Sequence, residues 1–204
     1  MKEALLIVDL QLDFLPGGAL GVSGGDQIIP RILYLMGQFD LVIATQDWHP
    51  EGHVSFASRH GKKVGESILH QGVYQDLWPD HCIQKSRGAN LTPEIERGKI
   101  ERVIQKGVDP EVDSYSAFFD NQRKRETPLH RYLKERGIQS LTIGGLTTEY
   151  CVKFTVLDAL ELGYQVVVVD EACCALLDHE AAMKQMEAAG AKRLFLDAKS
   201  STYT

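Results

Sequence analysis

Basic residues are in short supply: 22 Lys and Arg stand against 28 Asp and Glu, a formal net charge of -6. Such a chain has no electropositive footprint for a nucleic-acid backbone or an anionic membrane surface, so neither partner is expected. Long hydrophobic runs are also lacking. The longest purely apolar stretches, such as residues 166–169, fall far short of a membrane span. The opening MKEALLIVD puts Asp9 where a secretory leader needs unbroken apolar residues, and a cytoplasmic location is expected. Cysteine is scarce, with four in 204 residues, two of them adjacent at Cys173 and Cys174. That spacing makes neither a disulfide framework nor a zinc site, so a cysteine with special chemistry would act alone, as a thiolate. No repeat or low-complexity tract interrupts an ordinary globular composition, and a single domain over residues 1–204 is expected.

Short β-rich runs recur at residues 4–8, 41–44, 102–105, 141–143, 165–169 and 193–196. Their continuous apolarity suits strands buried on both faces, as in a parallel sheet. Helical patterns lie between several of them. Thr127-Pro128 opens one that Gly137 stops; Thr147 or Thr148 opens another that ends at Gly163; Asp178 opens a third that runs to Gly190. The alternation predicts an open α/β sheet with helices on both faces. Residues 46–90 read as one long irregular stretch rich in Gly, His and Pro, before a short helix opened by Thr92-Pro93, and loops of that length are usually functional.

Ligands of open parallel sheets bind beyond the carboxyl ends of the strands. The residues that follow the expected strands are Asp9, then Asp47 and His49, then Lys106, then the turn before Cys151. Cys151 falls in the first turn of a helix, where unpaired N–H groups favour an anion and lower a thiol pKa. A lone cysteine is more often a small packed hydrophobe, the reading given to Cys82, Cys173 and Cys174. Asp after a strand is commonly a turn cap, and Lys there commonly just reaches solvent. Asp9, Lys106 and Cys151 together at adjacent strand ends point to a Cys-Lys-Asp hydrolytic site. Asp47-Trp48-His49 and the distant His81 can make a two-His, one-carboxylate metal set, although spacing alone leaves backbone-bonded loop histidines equally open. His53, His60 and His70 are rival ligands, ranked lower. Phe14, Trp78, Tyr115 and Tyr150 supply aromatic walls suited to a flat ring, while Phe118 and Phe119 read as core.

The segments IVDLQLDFLPGGAL, TQDWHPEGHVSFAS, WPDHCIQ, QKGVDPEVDSYSAFFDN and GGLTTEYCVKFTVLDAL resemble, in the same order and over nearly the whole chain, the nicotinamidases of the isochorismatase-like cysteine hydrolases. The resemblance implies a three-layer α/β/α sandwich around a six-stranded, mostly parallel sheet. It implies Cys151 as nucleophile, Asp9 as general base and Lys106 as the residue that helps ionise the thiol. Asp47, His49 and His81 become ligands of one divalent ion, with Ser55 reaching it through a water; zinc is the first expectation, and manganese or iron also suit the set. A cis peptide is implied at Leu146–Thr147, with the backbone N–H groups of Thr147 and Cys151 as oxyanion hole. Thr147 departs from the alanine more usual in that family. The implied pocket is Phe14, Leu20, Trp78, Tyr115, Leu146 and Tyr150.

The activity so implied is hydrolysis of nicotinamide to nicotinate and ammonia in NAD salvage, with pyrazinamide also accepted. The partner is a small molecule, and a homo-oligomer is compatible with this reading. Rival readings are a hydrolase of the same superfamily acting on isochorismate or a carbamoyl compound, a non-haem iron oxygenase using Asp47, His49 and His81, and a non-catalytic scaffold. Isochorismate, a dianion, calls for basic pocket residues, and the oxygenase leaves Asp9, Lys106 and Cys151 without a purpose.

Overall fold

The computed structural model describes residues 2–196. Its strands, in chain order, are β1 (Glu3–Val8), β2 (Val42–Asp47), β3 (Ser67–His70), β4 (Val73–Asp76), β5 (Arg102–Lys106), β6 (Ser140–Leu146), β7 (Gln165–Cys174) and β8 (Lys192–Leu194). Six of them form one sheet in the order β5-β2-β1-β6-β7-β8, with every neighbouring pair parallel. The helices are α1 (Ile29–Met36), α2 (Ala57–His60), α3 (Pro93–Glu96), α4 (Leu129–Glu135), α5 (Lys153–Glu161) and α6 (His179–Ala188). No helix among the described residues is long and apolar enough to cross a membrane.

The period of two along the strands sorts the apolar side chains into two cores, one on each face of the sheet. Ala4, Leu6 and Val8 of β1 face Leu129 and Leu133 of α4, Val156 and Ala159 of α5, and Met183 and Met186 of α6. Leu5 and Ile7 face the other way, onto Ile32, Leu35 and Met36 of α1 and Ile95 of α3. This is the expected three-layer arrangement, and all six expected strands are present. The Asp178 carboxylate accepts the Ala181 N–H at 2.9 Å and so caps α6, as its position in the sequence predicts.

Two features depart from the sequence reading. The stretch 46–90 is not wholly irregular: it contains α2 and an antiparallel β3–β4 hairpin. Its two-residue turn, Gln71-Gly72, has φ of 49° and 85°. A glutamine in that place is a weaker hairpin signal than the usual Asn or Asp before Gly. Helix α1 lacks a capping side chain and follows directly on a short 3-10 turn, so it shows little punctuation in the sequence.

The chain begins in mid-sheet, adds β2 and β5 on one side, and returns to add β6, β7 and β8 on the other. The direction of growth therefore reverses between β1 and β6, opening a crevice at their carboxyl ends. Gly145 lets the two strands close there. It pairs with Val8, has φ of 142°, and a Cβ on it would lie 2.0 Å from the Val8 carbonyl oxygen. Gly145→Ala is expected to cost at least about 3 kcal/mol in urea unfolding or to prevent folding; an unchanged midpoint would show that the close approach is not needed.

Candidate active site

Four strand ends deliver four groups to this crevice. Asp47 and Lys106 are register partners at the ends of β2 and β5, so sheet pairing alone sets them side by side. Asp9 leaves β1 with φ of 47°. One hydroxyl, that of Thr45, accepts the Asp9 N–H at 3.0 Å and donates to its Oδ1 at 2.6 Å, which fixes the carboxylate. Cys151 lies in the wide turn Thr148–Val152 that joins β6 to α5, after a cis peptide at Leu146–Thr147, as expected.

The Lys106 ammonium is the hub. Only 1% exposed, its Nζ stands 2.9 Å from Asp9 Oδ2, 2.6 Å from Asp47 Oδ1, 2.8 Å from the Ser114 carbonyl and 3.3 Å from Cys151 Sγ. Burial works against its charge, but the Asp47 and Asp9 carboxylates outweigh burial and hold its pKa well above the usual lysine range. Asp47 is lowered: burial opposes ionisation, and Lys106 and His49 overcome it. Asp9 is raised, because burial outweighs the lowering by the Lys106 ammonium and Asp47 adds a smaller repulsion. Cys151 also goes up, well above the ordinary thiol value, through burial with Lys106 opposing and Asp9 and Asp47 adding to it. A helix start was expected to depress this pKa; instead burial and the two carboxylates keep a resting thiol, which needs a base beside it.

The second group could hold a metal ion. Asp47, His49 and His81 each bring a ligand atom within 4.8 Å of the others, all three residues being buried. Asp47 Oδ2 lies 3.5 Å from His49 Nε2 and 4.0 Å from His81 Nε2. Tetrahedral ligands held about 2.1 Å from an ion would stand ~3.4 Å apart, so the set fits a divalent cation with small adjustments. Each imidazole is bonded through its other nitrogen, His49 Nδ1 to the Gly107 carbonyl at 2.9 Å and His81 Nδ1 to the Pro79 carbonyl at 2.7 Å. Those bonds turn both Nε2 atoms toward Asp47, the second-layer support that ligating histidines use. Asp47 raises the His49 pKa against the effect of burial, whereas burial and His49 lower that of His81 to about 4. The bridges Phe56–Trp78 and His49–Ile83 lay the distant His81 segment beside β2, which the sequence spacing could not show.

Ser55 and His53 are buried beside this set and bonded to each other, Ser55 Oγ to His53 Nδ1 at 2.7 Å. Burial lowers the His53 pKa to about 4. His60 and His70 lie outside it, the first bonded to the Val54 carbonyl and the second beside Glu111.

A cavity joins the two groups. Phe14, Leu20, Trp78, Tyr115, Thr147 and Tyr150 line it together with Cys151 and the metal set. The Trp78 and Tyr150 rings meet edge-on at 4.9 Å. Leu146, expected here, is instead fully buried in the core behind the wall, against Gly25. Asp113 and Leu176 also line the cavity and were not expected. Asp113 had a signal in standing two residues before Tyr115; Leu176, in the short loop run Ala175-Leu176-Leu177, had none. The cavity can thus hold a flat ring between aromatic walls, with a buried thiol, a base and a cation site at hand.

The isochorismatase domain family matches residues 3–194 of this chain. A nicotinamidase of Escherichia coli is 47% identical over 197 residues, spanning 93% of this chain and 92% of the relative. A nicotinamidase pyrazinamidase from Acinetobacter baumanii superposes with a TM-score of 0.91 at 41% identity, covering 95% of this chain and 96% of that one. A pyrazinamidase of Pyrococcus horikoshii, solved in complex with zinc, superposes with a TM-score of 0.80 at 35% identity, covering 96% and 100%.

Gly107 tests the metal set without replacing a ligand. Its φ is 63°, and a Cβ there would come within 2.4 Å of His49 Cε1. Gly107→Ala should weaken divalent-ion binding about 10- to 100-fold in competition with a chromophoric chelator; wild-type affinity would mean that His49 is not held by this contact.

Proposed function

The chain belongs to the isochorismatase family, and from that premise we propose that it is a metal-dependent cysteine amidohydrolase that converts nicotinamide to nicotinate and ammonia. The observation that carries the reading is the contact of Cys151 Sγ with the Lys106 ammonium, itself paired with Asp9, at the edge of an aromatic cavity shared with Asp47, His49 and His81.

The pyridine ring lies among Phe14, Trp78 and Tyr115, with Leu20 and Tyr150 completing the pocket. Asp47, His49 and His81 would hold a divalent ion, which we take to be zinc, with Ser55 reaching it through a water, and the ion would supply a Lewis-acidic anchor for the ring nitrogen. Burial raises the pKa of Asp9, which makes it a stronger base than a carboxylate in water, and burial likewise keeps the proton on Cys151 until that base takes it. Asp9 takes the Cys151 proton, and the Lys106 ammonium stabilises the thiolate. Sulfur then attacks the carboxamide carbon, and the oxyanion is met by the N–H groups of Thr147 and Cys151. Asp9 returns the proton to the amine, the C–N bond breaks and ammonia leaves a Cys151 thioester. Asp9 next deprotonates a water that attacks the thioester, and nicotinate departs as the thiol is restored. Backbone donors survive the presence of Thr147, and pyrazinamide, with a similar flat ring, is accepted too. We assign the reaction to pyridine nucleotide salvage in the cytoplasm.

A dianionic substrate such as isochorismate fits poorly. Neither Lys nor Arg lines the cavity among the described residues, whereas Asp47 and Asp113 do.

Cys151→Ala should lower ammonia release from nicotinamide by at least ~1,000-fold while leaving zinc binding intact. A variant that turns over at the normal rate would overturn the scheme. Chelation of the wild type should stop turnover, and one added divalent ion should restore it; activity indifferent to chelator would remove the metal from the account.

A further inference from the structure

The cavity wall at Leu176 comes from the loop at residues 175–178, which joins β7 to α6. A short loop carrying one apolar residue on a pocket wall needs something to fix it. Here the turn that bears Cys151 holds it at two points. The half-buried Glu149 carboxylate accepts the N–H of Leu176 at 3.2 Å through Oε2 and that of Leu177 at 2.5 Å through Oε1. One residue earlier, Thr148 Oγ1 is bonded to His179 Nδ1 at 3.1 Å. His179 Nε2 lies 3.3 Å from Asp170 Oδ2, and Arg193 anchors Asp170 at 2.5 Å. The far end of the loop is thus tied to β7 and β8 as well.

Leu177 is 76% exposed, so hydrophobic burial of that residue does not anchor the loop. The two charge-assisted bonds from Glu149 are the direct connection of its middle to the site. Glu149 is followed by Tyr150 and Cys151, a pocket wall and the sulfur, so one turn fixes the loop, an aromatic wall and the sulfur relative to one another.

We propose that Glu149 is a positioning residue of the substrate pocket: by accepting the Leu176 and Leu177 N–H groups it fastens the loop to the Cys151 turn and holds the Leu176 side chain as a wall against the substrate ring. Because Leu176 is an apolar wall that neither moves a proton nor touches the bonds handled by Asp9, Lys106 and Cys151, its loss affects binding of the ring more than the bond-breaking steps. The substrate half of this inference rests on nicotinamide hydrolysis as the activity; the fastening of the loop does not.

The test compares Glu149→Ala, Glu149→Gln, Leu176→Ala and the double variant Glu149→Ala/Leu176→Ala with wild type, for nicotinamide kinetics and for amide exchange at Leu176 and Leu177. Glu149→Ala should raise KM at least about 5-fold with kcat held within about 2-fold. Exchange at the two amides should quicken by at least ~10-fold. Glu149→Gln, which keeps an oxygen acceptor, should fall between. The KM effects of Glu149→Ala and Leu176→Ala should not multiply in the double variant, since both act through one wall. A fall in thermal stability with KM and exchange unchanged, or fully multiplicative KM effects, would overturn the proposal. A wild type that releases no ammonia from nicotinamide would overturn the activity, while the exchange data would still decide whether Glu149 fastens the loop.

Discussion

A single buried ammonium holds the site together. Lys106 Nζ sits among Asp9, Asp47 and Cys151, three groups whose ligand atoms lie within 4.8 Å of one another and would otherwise make a cation site. Two carboxylates so close in a dry crevice repel each other, and neither is stable as an anion without a counter-charge. The lysine supplies that charge on a fixed stem, while a metal ion on the far side of Asp47 would supply more. Asp47 thereby links the two halves of the site, bonded to Lys106 through Oδ1 and facing the histidines through Oδ2. The charges run carboxylate, ammonium, carboxylate, followed by a cation wherever an ion is bound, and the thiol stands beside the ammonium.

Sheet topology makes this alternation achievable with little loop engineering. The register of β2 and β5 sets Asp47 against Lys106, and the reversal of growth between β1 and β6 leaves room for the Cys151 turn beside Asp9. Glycine at 145 allows β6 to approach Val8, and glycine at 107 leaves space for the His49 ring. The chemistry is thus carried on rigid strand ends, and loops contribute the aromatic walls and His81. Rigid placement matters because a buried ion pair keeps its value only when its hydrogen bonds are well aligned.

Much of this was legible in the residues. Parallel strands buried on both faces are continuous apolar runs, so they could be located, and Asp9, Asp47, Lys106 and Cys151 each stand at or after one. The nature of the metal set was legible in residue types but not in contacts. His81 joins it only because the bridges at Phe56–Trp78 and His49–Ile83 fold the intervening hairpin aside, and such pairings are non-local. Helix α1 and the β3–β4 hairpin were missed because one has no cap and the other turns on Gln-Gly. For the thiol two effects compete: a helix start favours a thiolate, whereas the burial and the nearness of two carboxylates that push its pKa up belong to the folded protein and cannot be read from the residues. Leu146, implied as pocket, lies in the core, while Leu176 carries no periodic or motif signal and Glu149, although inside the GGLTTEYC segment, gives no sign there of the loop it holds.

The claim that one lysine sets the ionisation of the whole cluster is tested most directly by the pH profile of Cys151 alkylation with iodoacetamide, followed by peptide mass mapping, in wild type and Lys106→Met. With the ammonium gone, the thiolate loses its counter-charge beside Asp9 and Asp47, so alkylation of Cys151 should require a higher pH and be slower at neutral pH by at least ~10-fold. Superimposable profiles from two equally folded proteins would contradict the account.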